Sequence, residues 1–489
     1  MPKKRIINGK LIIKFTGLLV MMLSLFMLLS ALWSIYYQEE SAYTSLILSA
    51  AITFVSGLVA FLLTRKHDFR NIGKKEGYVI VTVIYVCIAF FGALPFYLCG
   101  AIPSFSDAFF ESTSGIATTG ATILTDIESL PMGLLFWRSM THWLGGMGII
   151  VLTLAILPIL GVGGMQLFVA EVPGTTPSRL HPRITQTAKR LWGIYTGLTL
   201  VLTLLLMLGG MDLFHSINHA FSTVATGGFS TQNDSMAGYS AYTQYVIILF
   251  MILGATSFSL HYFVLKGQFS KVLNNEEWLF FLKLMGSFTL LFFLSLLVIR
   301  QSPDIEYIFR KSLFQVVSIV TTTGFTTTDY MEWQGFLWFF LFLLMFTGGC
   351  IGSTAGGMKM IRVLVLVKNT RLEFKRLLHP MAVIPVRVNQ KSIPQEIIHN
   401  FLAFFLLYML LFMAGAAAMT LFGLDFTSAI GASAATLGNI GPAIANVGPI
   451  ESYGSIPNPA KWILSFYMIL GRLEMFTVLL LLSPSFYKK

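Results

Sequence analysis

The sequence predicts an all-α integral membrane protein in which four parallel M1–P–M2 repeats surround a pseudo-fourfold axis, with two extra N-terminal transmembrane helices before them. Each repeat is a full span, a half-span and a second full span. Composition gives the membrane class, because the 489 residues are 55% hydrophobic and 11% charged, with a mean hydropathy of +0.75. A glycine-centred segment occurs four times, about a hundred residues apart, and such periodicity indicates repeated structural units.

The clearest copy of this segment is SIVTTTGFTTT, from Ser318 to Thr328, with Gly324 at its centre. The other copies are STVATGGFST around Gly228, SGIATTGATI around Gly120 and ATLGNIGP around Gly441. The four glycines are 108, 96 and 117 residues apart. The fourth copy differs most. We align it through its asparagine and second glycine, and Gly438 is the competing choice.

Apolar runs define the spans, since about 20 helical residues cross a bilayer core. Ten full spans are predicted at 11–36, 44–64, 77–100, 133–160, 190–210, 242–265, 278–299, 336–367, 397–422 and 460–482. Four half-helices are predicted at 107–119, 213–226, 307–322 and 426–437. Asp212 and Asp425 each stand 16 residues before their glycine, a position that suits a helix N-terminus. The resulting units are an N-terminal helix pair (1–72) and pore repeats at 73–165, 166–270, 271–370 and 371–489.

Charge predicts the orientation. In this scheme 26 of the 33 Lys and Arg residues lie on one side, together with both termini, and the positive-inside rule makes that side the cytoplasm. The net charge of +11 therefore reflects topology, and no nucleic-acid partner is expected. Six acidic residues follow the glycine segments on the opposite side, where they would concentrate cations: Asp126, Glu128, Asp234, Asp329, Glu332 and Glu451.

The half-spans predict a filter. A chain that enters, turns at membrane depth and leaves must line water or be buried in protein, because its backbone groups lack helical partners. Glycine permits unusual backbone angles, and inward carbonyls can replace the hydration shell of an ion. We predict a ring of Gly120, Gly228, Gly324 and Gly441, with neighbouring carbonyls from Thr118, Thr119, Thr226, Gly227, Thr322, Thr323, Asn439 and Ile440. The alternative is helix packing through small residues, which four matching copies make the weaker interpretation.

The second span of repeat three contains five glycines within ten residues: Gly348, Gly349, Gly352, Gly356 and Gly357. Each would destabilise a helix by about 1 kcal/mol relative to alanine. We therefore predict an intramembrane loop below the filter that obstructs the pathway and can move aside, with a kinked helix as the alternative. Arg472 lies within the last span and is predicted to hold carbonyls of this loop. A local pair with Glu474 or snorkelling is the alternative.

Arg138 and His142 are four residues apart and share a helix face. A proton relay is one interpretation. Anchoring at the membrane interface is the favoured one.

Three further motifs carry a family resemblance. They are WLGGMGIIVLTLAILPILGVGGMQL at Trp143–Leu167, TGGCIGSTAGGMKMIR at Thr347–Arg362 and AKWILSFYMILGRLEMF at Ala460–Phe476. With the glycine segments they resemble the TrkH/TrkG-type potassium uptake proteins of the Trk/Ktr/HKT superfamily. The resemblance implies potassium uptake across the bacterial inner membrane, with the four glycines as selectivity residues and residues 348–357 as the gate. It also implies a homodimer on a cytoplasmic TrkA-like ring that binds nucleotide.

Other function classes receive little support. The sequence has no H-E-x-x-H motif, P-loop or paired intramembrane carboxylates, so it predicts no enzyme and no organic cofactor on this chain. The expected ligand is K⁺ as the transported ion, and the expected surroundings are membrane lipids. The cytoplasmic loops 359–396 and 165–190 are the predicted docking surface for a regulatory ring. A proton- or sodium-coupled secondary transporter of a cation or small solute is the alternative, and the sequence leaves the coupling open.

Overall fold

The computed structural model describes residues 8–65, 74–148, 184–299 and 304–487. Its first helices are α1 (Gly9–Tyr36), α2 (Glu40–Leu63), α3 (Lys74–Leu98), α4 (Phe105–Ile116), α5 (Met132–Gly146), α6 (Ile184–Leu208), α7 (Leu213–Val224), α8 (Ala241–Gly254), α9 (Phe258–Leu265) and α10 (Phe269–Leu273). The later helices are α11 (Glu276–Val298), α12 (Ile305–Val320), α13 (Gly335–Leu344), α14 (Met360–Leu378), α15 (Gln395–Leu421), α16 (Phe426–Gly438), α17 (Asn458–Arg472), α18 (Phe476–Leu482) and α19 (Pro484–Tyr487). Strands β1 (Arg387–Val388) and β2 (Lys391–Ser392) form an antiparallel hairpin between α14 and α15. Single 3-10 turns occur at Tyr330–Glu332, Ala445–Val447 and Tyr453–Ser455.

Six of the described helices are long and apolar enough to cross a membrane, and two bent pairs raise this number to eight. They correspond to eight of the ten predicted spans. The ninth, 133–160, begins with α5, and its remainder from residue 149 to 160 lies outside the described residues. The tenth, 336–367, is interrupted by a loop. Large apolar side chains such as Leu208 (79%) and Leu421 (86%) are exposed on these helices, as expected of a lipid-facing surface. The protein is therefore an all-α, multi-pass membrane protein.

Two spans predicted as continuous helices are bent, and the prediction is wrong there. Span 242–265 breaks by 102° between α8 and α9. At this break the amide of Cys350 donates to the carbonyl of Ala255 at 2.9 Å, and the amide of Phe258 donates to the carbonyl of Gly352 at 3.0 Å. The carbonyl of Ala255 and the amide of Phe258 are therefore hydrogen-bonded to residues about a hundred positions away along the chain, and not within a continuous helix. The bend has a tertiary cause.

The second bend divides span 460–482, where α17 and α18 meet at 120°. Glu474 and Met475, between the two helices, have φ of +55° and +44°. Left-handed backbone at two non-glycine residues is incompatible with helix continuation and needs tertiary support. The support comes from Arg362 on α14, whose guanidinium forms a buried ion pair with Glu474.

The glycine-rich stretch of repeat three interrupts its span as predicted. α13 ends at Leu344 and α14 begins at Met360. Residues 348–357, here called the broken-span loop, lie between them and are closed at their base by pairing of Thr347 with Met358. A loop with adjacent ends can form a compact unit.

Four short helices, α4, α7, α12 and α16, match the predicted half-helices. Asp212 and Asp425 are N-caps as predicted: Asp212 accepts from the amide of Phe214 at 3.0 Å, and Asp425 accepts from the amide of Ser428 at 3.0 Å. Ser104 caps α4 at the same distance from its glycine, and Asp304 caps α12. Each half-helix therefore starts at a polar cap and ends at a glycine segment.

Close packing of α1 on α2 supports a stability prediction. Gly17 and Gly57 face each other, and a Cβ on Gly57 would lie 2.6 Å from the Gly17 carbonyl oxygen. We expect Gly57→Leu to separate the helices and to destabilise the protein by about 1–3 kcal/mol through overpacking. Thermal unfolding in detergent measures this loss. Gly286→Leu is the matched control, because Gly286 lies in a span with nothing within 4 Å of its Cβ position. Equal melting temperatures for the two variants would contradict the prediction.

Candidate functional site at the four glycine segments

Each half-helix ends in the same turn. The residue two before each glycine is left-handed, with φ of +51° at Thr118, +53° at Thr226, +54° at Thr322 and +53° at Asn439. In the first repeat the next amide, of Thr119, donates back five residues to the carbonyl of Ser114 at 2.9 Å. Equivalent bonds join Gly227 to Ser222, Thr323 to Ser318 and Ile440 to Ala435. This is a Schellman-type C-cap, which normally uses glycine. Left-handed threonine at the same place in three repeats points to a functional constraint.

The glycine segments, residues 118–120, 226–228, 322–324 and 439–441, meet in a closed circle. All four central glycines have positive φ, +81° at Gly120, +83° at Gly228, +82° at Gly324 and +93° at Gly441. A Cβ on each one would overlap the carbonyl oxygen of a residue in the next segment: Gly227, Thr323, Ile440 and Thr119, in that order. The fourth segment contacts the first, so the chain order of the repeats is also their order around one axis. Gly438 lies outside this ring, at the end of α16.

Backbone carbonyls of the glycine segments are largely without hydrogen-bond donors. Of the twelve carbonyls at residues 118–120, 226–228, 322–324 and 439–441, only that of Gly441 accepts a bond from a described residue, from the hydroxyl of Tyr453 at 2.9 Å. Carbonyls at membrane depth without protein donors need water or a cation as partner. Neutral carbonyl oxygens of this kind suit an alkali cation.

A cavity of about 170 Å³ opens on one side of the ring and is lined by Gly120, Gly228, Gly324 and Gly441. We call this side the vestibule face, formed by residues 121–130, 230–240, 326–334 and 442–457. Asn233 ties two of its loops together: its side-chain amide donates to Asp126 at 3.0 Å, and its backbone amide donates to Glu128 at 3.0 Å. The hydrogen bond from Asn233 lowers the pKa of Asp126. The carboxylate of Asp126 therefore stays ionised at neutral pH.

The broken-span loop lies against the ring on the opposite side. The hydroxyl of Thr354 donates to the carbonyl of Val224, at the end of α7, at 2.9 Å. The amide of Gly356 donates to the hydroxyl of Thr322 at 2.7 Å. A Cβ on Gly356 would lie 2.7 Å from the carbonyl oxygen of Gly438. The loop thus contacts elements of repeats two, three and four directly behind the glycine segments.

Arg472 connects this loop to the first repeat. Its guanidinium donates to the carbonyl of Thr354 at 2.6 Å and to the carbonyls of Gly145 and Gly146 at 2.5 and 2.9 Å. The carbonyl contact with residues 348–357 is the one that the sequence predicts. The alternative pair with Glu474 is wrong, because Glu474 binds Arg362.

Sequence reasoning missed other buried charges around the loop. Glu277 accepts from the amides of Ile351 and Ile361, at 2.8 and 3.1 Å, so one carboxylate joins the loop to the start of α14. Lys359 donates to the carbonyl of Ala355 at 2.5 Å. Both residues stand at the boundary of an apolar span, where a charged residue ordinarily marks the membrane interface. The signal that could have revealed Glu277 is its acidic charge at the edge of an apolar span.

Arg138 does not anchor the membrane interface, so the favoured prediction is wrong. Its side chain is 2% exposed, forms an ion pair with Glu111 at 2.7 Å and donates to the carbonyl of Ser230 at 2.8 Å. His142 is also fully buried, with its ring centroid 4.0 Å from that of Phe229. Tertiary contacts near the glycine segments, rather than lipid head groups, surround both residues.

Three comparisons place the chain among known proteins. The TrkH family model, described as a cation transport protein, matches residues 45–487. The Trk system potassium uptake protein TrkH of Halomonas elongata is 40% identical over 485 residues, covering 98% of this chain and 99% of that protein. The protein of the same name from Escherichia coli is 38% identical over 484 residues, with coverage of 98% and 99%. A crystal structure of the potassium transporter TrkH from Vibrio parahaemolyticus has a TM-score of 0.88 and 37% identity, and covers 98% of this chain and 100% of that one.

The fold and the relatives together define a multi-pass membrane protein of the cation-transport class, not an enzyme. The chain belongs to the TrkH family of cation transport proteins, so the resemblance read from the sequence motifs is confirmed.

Proposed function

We propose that this protein takes up potassium across a bacterial inner membrane through a channel-like pore. The observation that carries the proposal is the closed circle of four glycine segments, in which eleven of the twelve carbonyls accept no hydrogen bond from a described residue. The names of the relatives, potassium uptake proteins of the Trk system, support potassium as the transported ion. No organic cofactor on this chain is needed for such a role.

The selectivity filter consists of three carbonyl layers. Thr118, Thr226, Thr322 and Asn439 supply one layer, Thr119, Gly227, Thr323 and Ile440 the next, and Gly120, Gly228, Gly324 and Gly441 the layer nearest the vestibule. Dehydrated potassium exchanges its water shell for these oxygens. Because the four segments differ in sequence, the ring is only approximately fourfold, and a moderate preference for potassium over sodium is expected.

The broken-span loop is the gate. Half of its residues are glycines, which allow it to change conformation: Gly348, Gly349, Gly352, Gly356 and Gly357. In the closed state Arg472 adds positive charge next to the loop and holds the Thr354 carbonyl, which raises the electrostatic barrier to a cation. Opening requires release of the bonds from Thr354 to Val224 and from Gly356 to Thr322, so gate movement and filter geometry are coupled.

The remaining features of the proposal follow the family resemblance and the charge distribution. Both termini and the loops 359–396 and 165–190 face the cytoplasm, where a TrkA-like ring that binds nucleotide would dock. The protein is a homodimer in membrane lipid, and each protomer has its own pathway through repeats 73–165, 166–270, 271–370 and 371–489. The vestibule face is then external, and its carboxylates attract cations.

Uptake of radioactive rubidium into liposomes that hold the purified protein tests this function, with potassium and sodium as competitors. Potassium should compete more strongly than sodium, and empty liposomes give the background. Absence of uptake both alone and with the cytoplasmic partner added would contradict the proposal. Uptake that depends on an imposed proton or sodium gradient would favour the coupled-transporter alternative.

A further inference from the structure

A buried ion pair lies beside the chain that leaves the first two glycine segments, and Arg138 also lines the cavity of the vestibule face. Arg138 on α5 and Glu111 on α4 are 2.7 Å apart between Nε and Oε1, and their side chains are 2% and 0% exposed. Burial of both charges is expensive unless their remaining hydrogen-bonding capacity is satisfied. The other hydrogen-bond partners of Glu111 and Arg138 therefore indicate what the pair holds in place.

Glu111 binds the chain that leaves the first glycine segment. The hydroxyl of Thr122 donates to both carboxylate oxygens, at 3.0 and 3.1 Å, and the amide of Ile123 donates to Oε2 at 2.9 Å. Residues 122 and 123 follow Gly120 almost immediately. We call the residues that follow each central glycine the outer limb of that segment. The carboxylate of Glu111 thus fixes the outer limb of the first segment to its own half-helix, α4.

Arg138 binds the chain that leaves the second glycine segment. Its Nη1 donates to the carbonyl of Ser230 at 2.8 Å, and its guanidinium lies 3.6 Å from the centroid of the Phe229 ring. A planar guanidinium can make an ion pair, a carbonyl bond and a stacking contact at once, which an ammonium cannot. The Glu111–Arg138 pair therefore spans two adjacent repeats.

The position of Glu111 has a counterpart in the next two repeats. Glu111, His219 and Gln315 each stand nine residues before their central glycine. His219 Nε2 lies 3.1 Å from the hydroxyl of Ser230, and Gln315 donates to the hydroxyl of Thr327 at 3.2 Å. The fourth repeat has Ala432 there, and its outer limb is held instead by Tyr453, which donates to the carbonyl of Gly441. Support of the outer limb is thus common to all four repeats, but charge occurs at this register in the first repeat alone.

We propose that Glu111 and Arg138 are positioning residues that set the relative placement of the first two filter segments and thereby determine ion selectivity. The inference rests on the proposed function of the glycine ring. Discrimination between potassium and sodium depends on the number and placement of carbonyl oxygens. Loss of the pair shifts two of the four segments relative to the others. It leaves the ring carbonyls themselves chemically unchanged.

Glu111→Gln and Arg138→Gln test the proposal, singly and combined, in the full-length protein in planar bilayers. The readout is the potassium-to-sodium permeability ratio from bi-ionic reversal potentials. We expect each single variant to lower this ratio about tenfold, and the double variant to add little, because the two residues act as a unit. If the two residues only stabilise the fold, the variants should yield less folded protein, and the protein that does fold should keep the wild-type permeability ratio.

Asp107 and Lys461 provide the matched control. They form a second, partly buried ion pair, 2.6 Å apart, between α4 and α17, and contact none of the glycine segments. Asp107→Asn and Lys461→Met should leave the permeability ratio at the wild-type value. Folded Glu111→Gln protein with a wild-type ratio would overturn the proposal, as would an equal change in the control variants.

Thr122→Val covers the case in which the charge variants do not fold. It removes the hydroxyl that donates to Glu111 and keeps the ion pair intact, so the ratio should fall about two- to threefold. An unchanged ratio in this variant would overturn the proposal. If the wild-type protein itself conducts without preference for potassium, the proposed function of the ring fails, whereas a selective wild type with unaffected variants refutes the positioning role alone.

Discussion

Gly324→Ser is expected to lower the preference for potassium over sodium about tenfold, the change that about 1.4 kcal/mol of lost discrimination produces. Gly324 has a φ of +82°, and a Cβ there would overlap the carbonyl oxygen of Ile440 and lie 2.8 Å from Pro442 Cδ. A serine must therefore displace the fourth segment or relax its own backbone. Either response moves carbonyls of the ring. Rubidium uptake with sodium as competitor measures the change.

Gly423→Ser separates this effect from backbone strain alone. Gly423 has a similar φ of +89°, but nothing lies within 4 Å of its Cβ position. The serine there carries the same conformational penalty without touching the ring. We expect wild-type selectivity from this control. If Gly324→Ser and Gly423→Ser behave alike, the glycine ring does not determine selectivity.

Arg472→Ala is expected to raise potassium flux through the purified protein about tenfold, which corresponds to about 1.4 kcal/mol of barrier. The substitution removes a positive charge beside the broken-span loop. It also removes the hydrogen bonds that Arg472 donates to the loop at Thr354 and to α5 at Gly145 and Gly146. Both changes favour passage of a cation, because the electrostatic barrier falls and the loop is less restrained. Flux into liposomes per folded protein is the measurement.

Arg472→Lys separates the two contributions. Lysine keeps the charge but cannot reproduce the planar fork that reaches Thr354, Gly145 and Gly146 together. We expect an intermediate flux. Lys461→Met removes a buried cation from the other end of α17 and should leave flux at the wild-type level. Wild-type flux in folded Arg472→Ala protein would contradict the gating role.

Local features of the site were predictable from sequence. Half-helices, N-caps and glycine turns depend on neighbouring residues, so Asp212, Asp425 and Gly324 could be assigned from their spacing alone. The alignment of the fourth repeat through Asn439 and Gly441 also agrees with the backbone, since Asn439 shares the left-handed φ of Thr118, Thr226 and Thr322. These assignments were possible because the half-helix and its glycine segment occur four times in the sequence.

Contacts between distant residues were not predictable. The bend between α8 and α9 results from a loop about a hundred residues further along the chain, and the Glu474 ion pair involves Arg362 on another helix. Hydropathy gives the length of an apolar run, but it does not show which distant residues form the hydrogen bonds that interrupt the helix. The buried pair of Glu111 and Arg138 could have been found only by comparing the register of the half-helices, where Glu111, His219 and Gln315 coincide.

Anomalous scattering from rubidium in crystals of the full-length protein would locate the oxygens that bind the ion. We expect rubidium density on the axis of the ring, coordinated by backbone carbonyls of residues 118–120, 226–228, 322–324 and 439–441. The density should weaken in Gly324→Ser crystals and persist in Gly423→Ser crystals. Rubidium bound elsewhere in the protein, with none on this axis, would show that the glycine ring is not the ion-binding site.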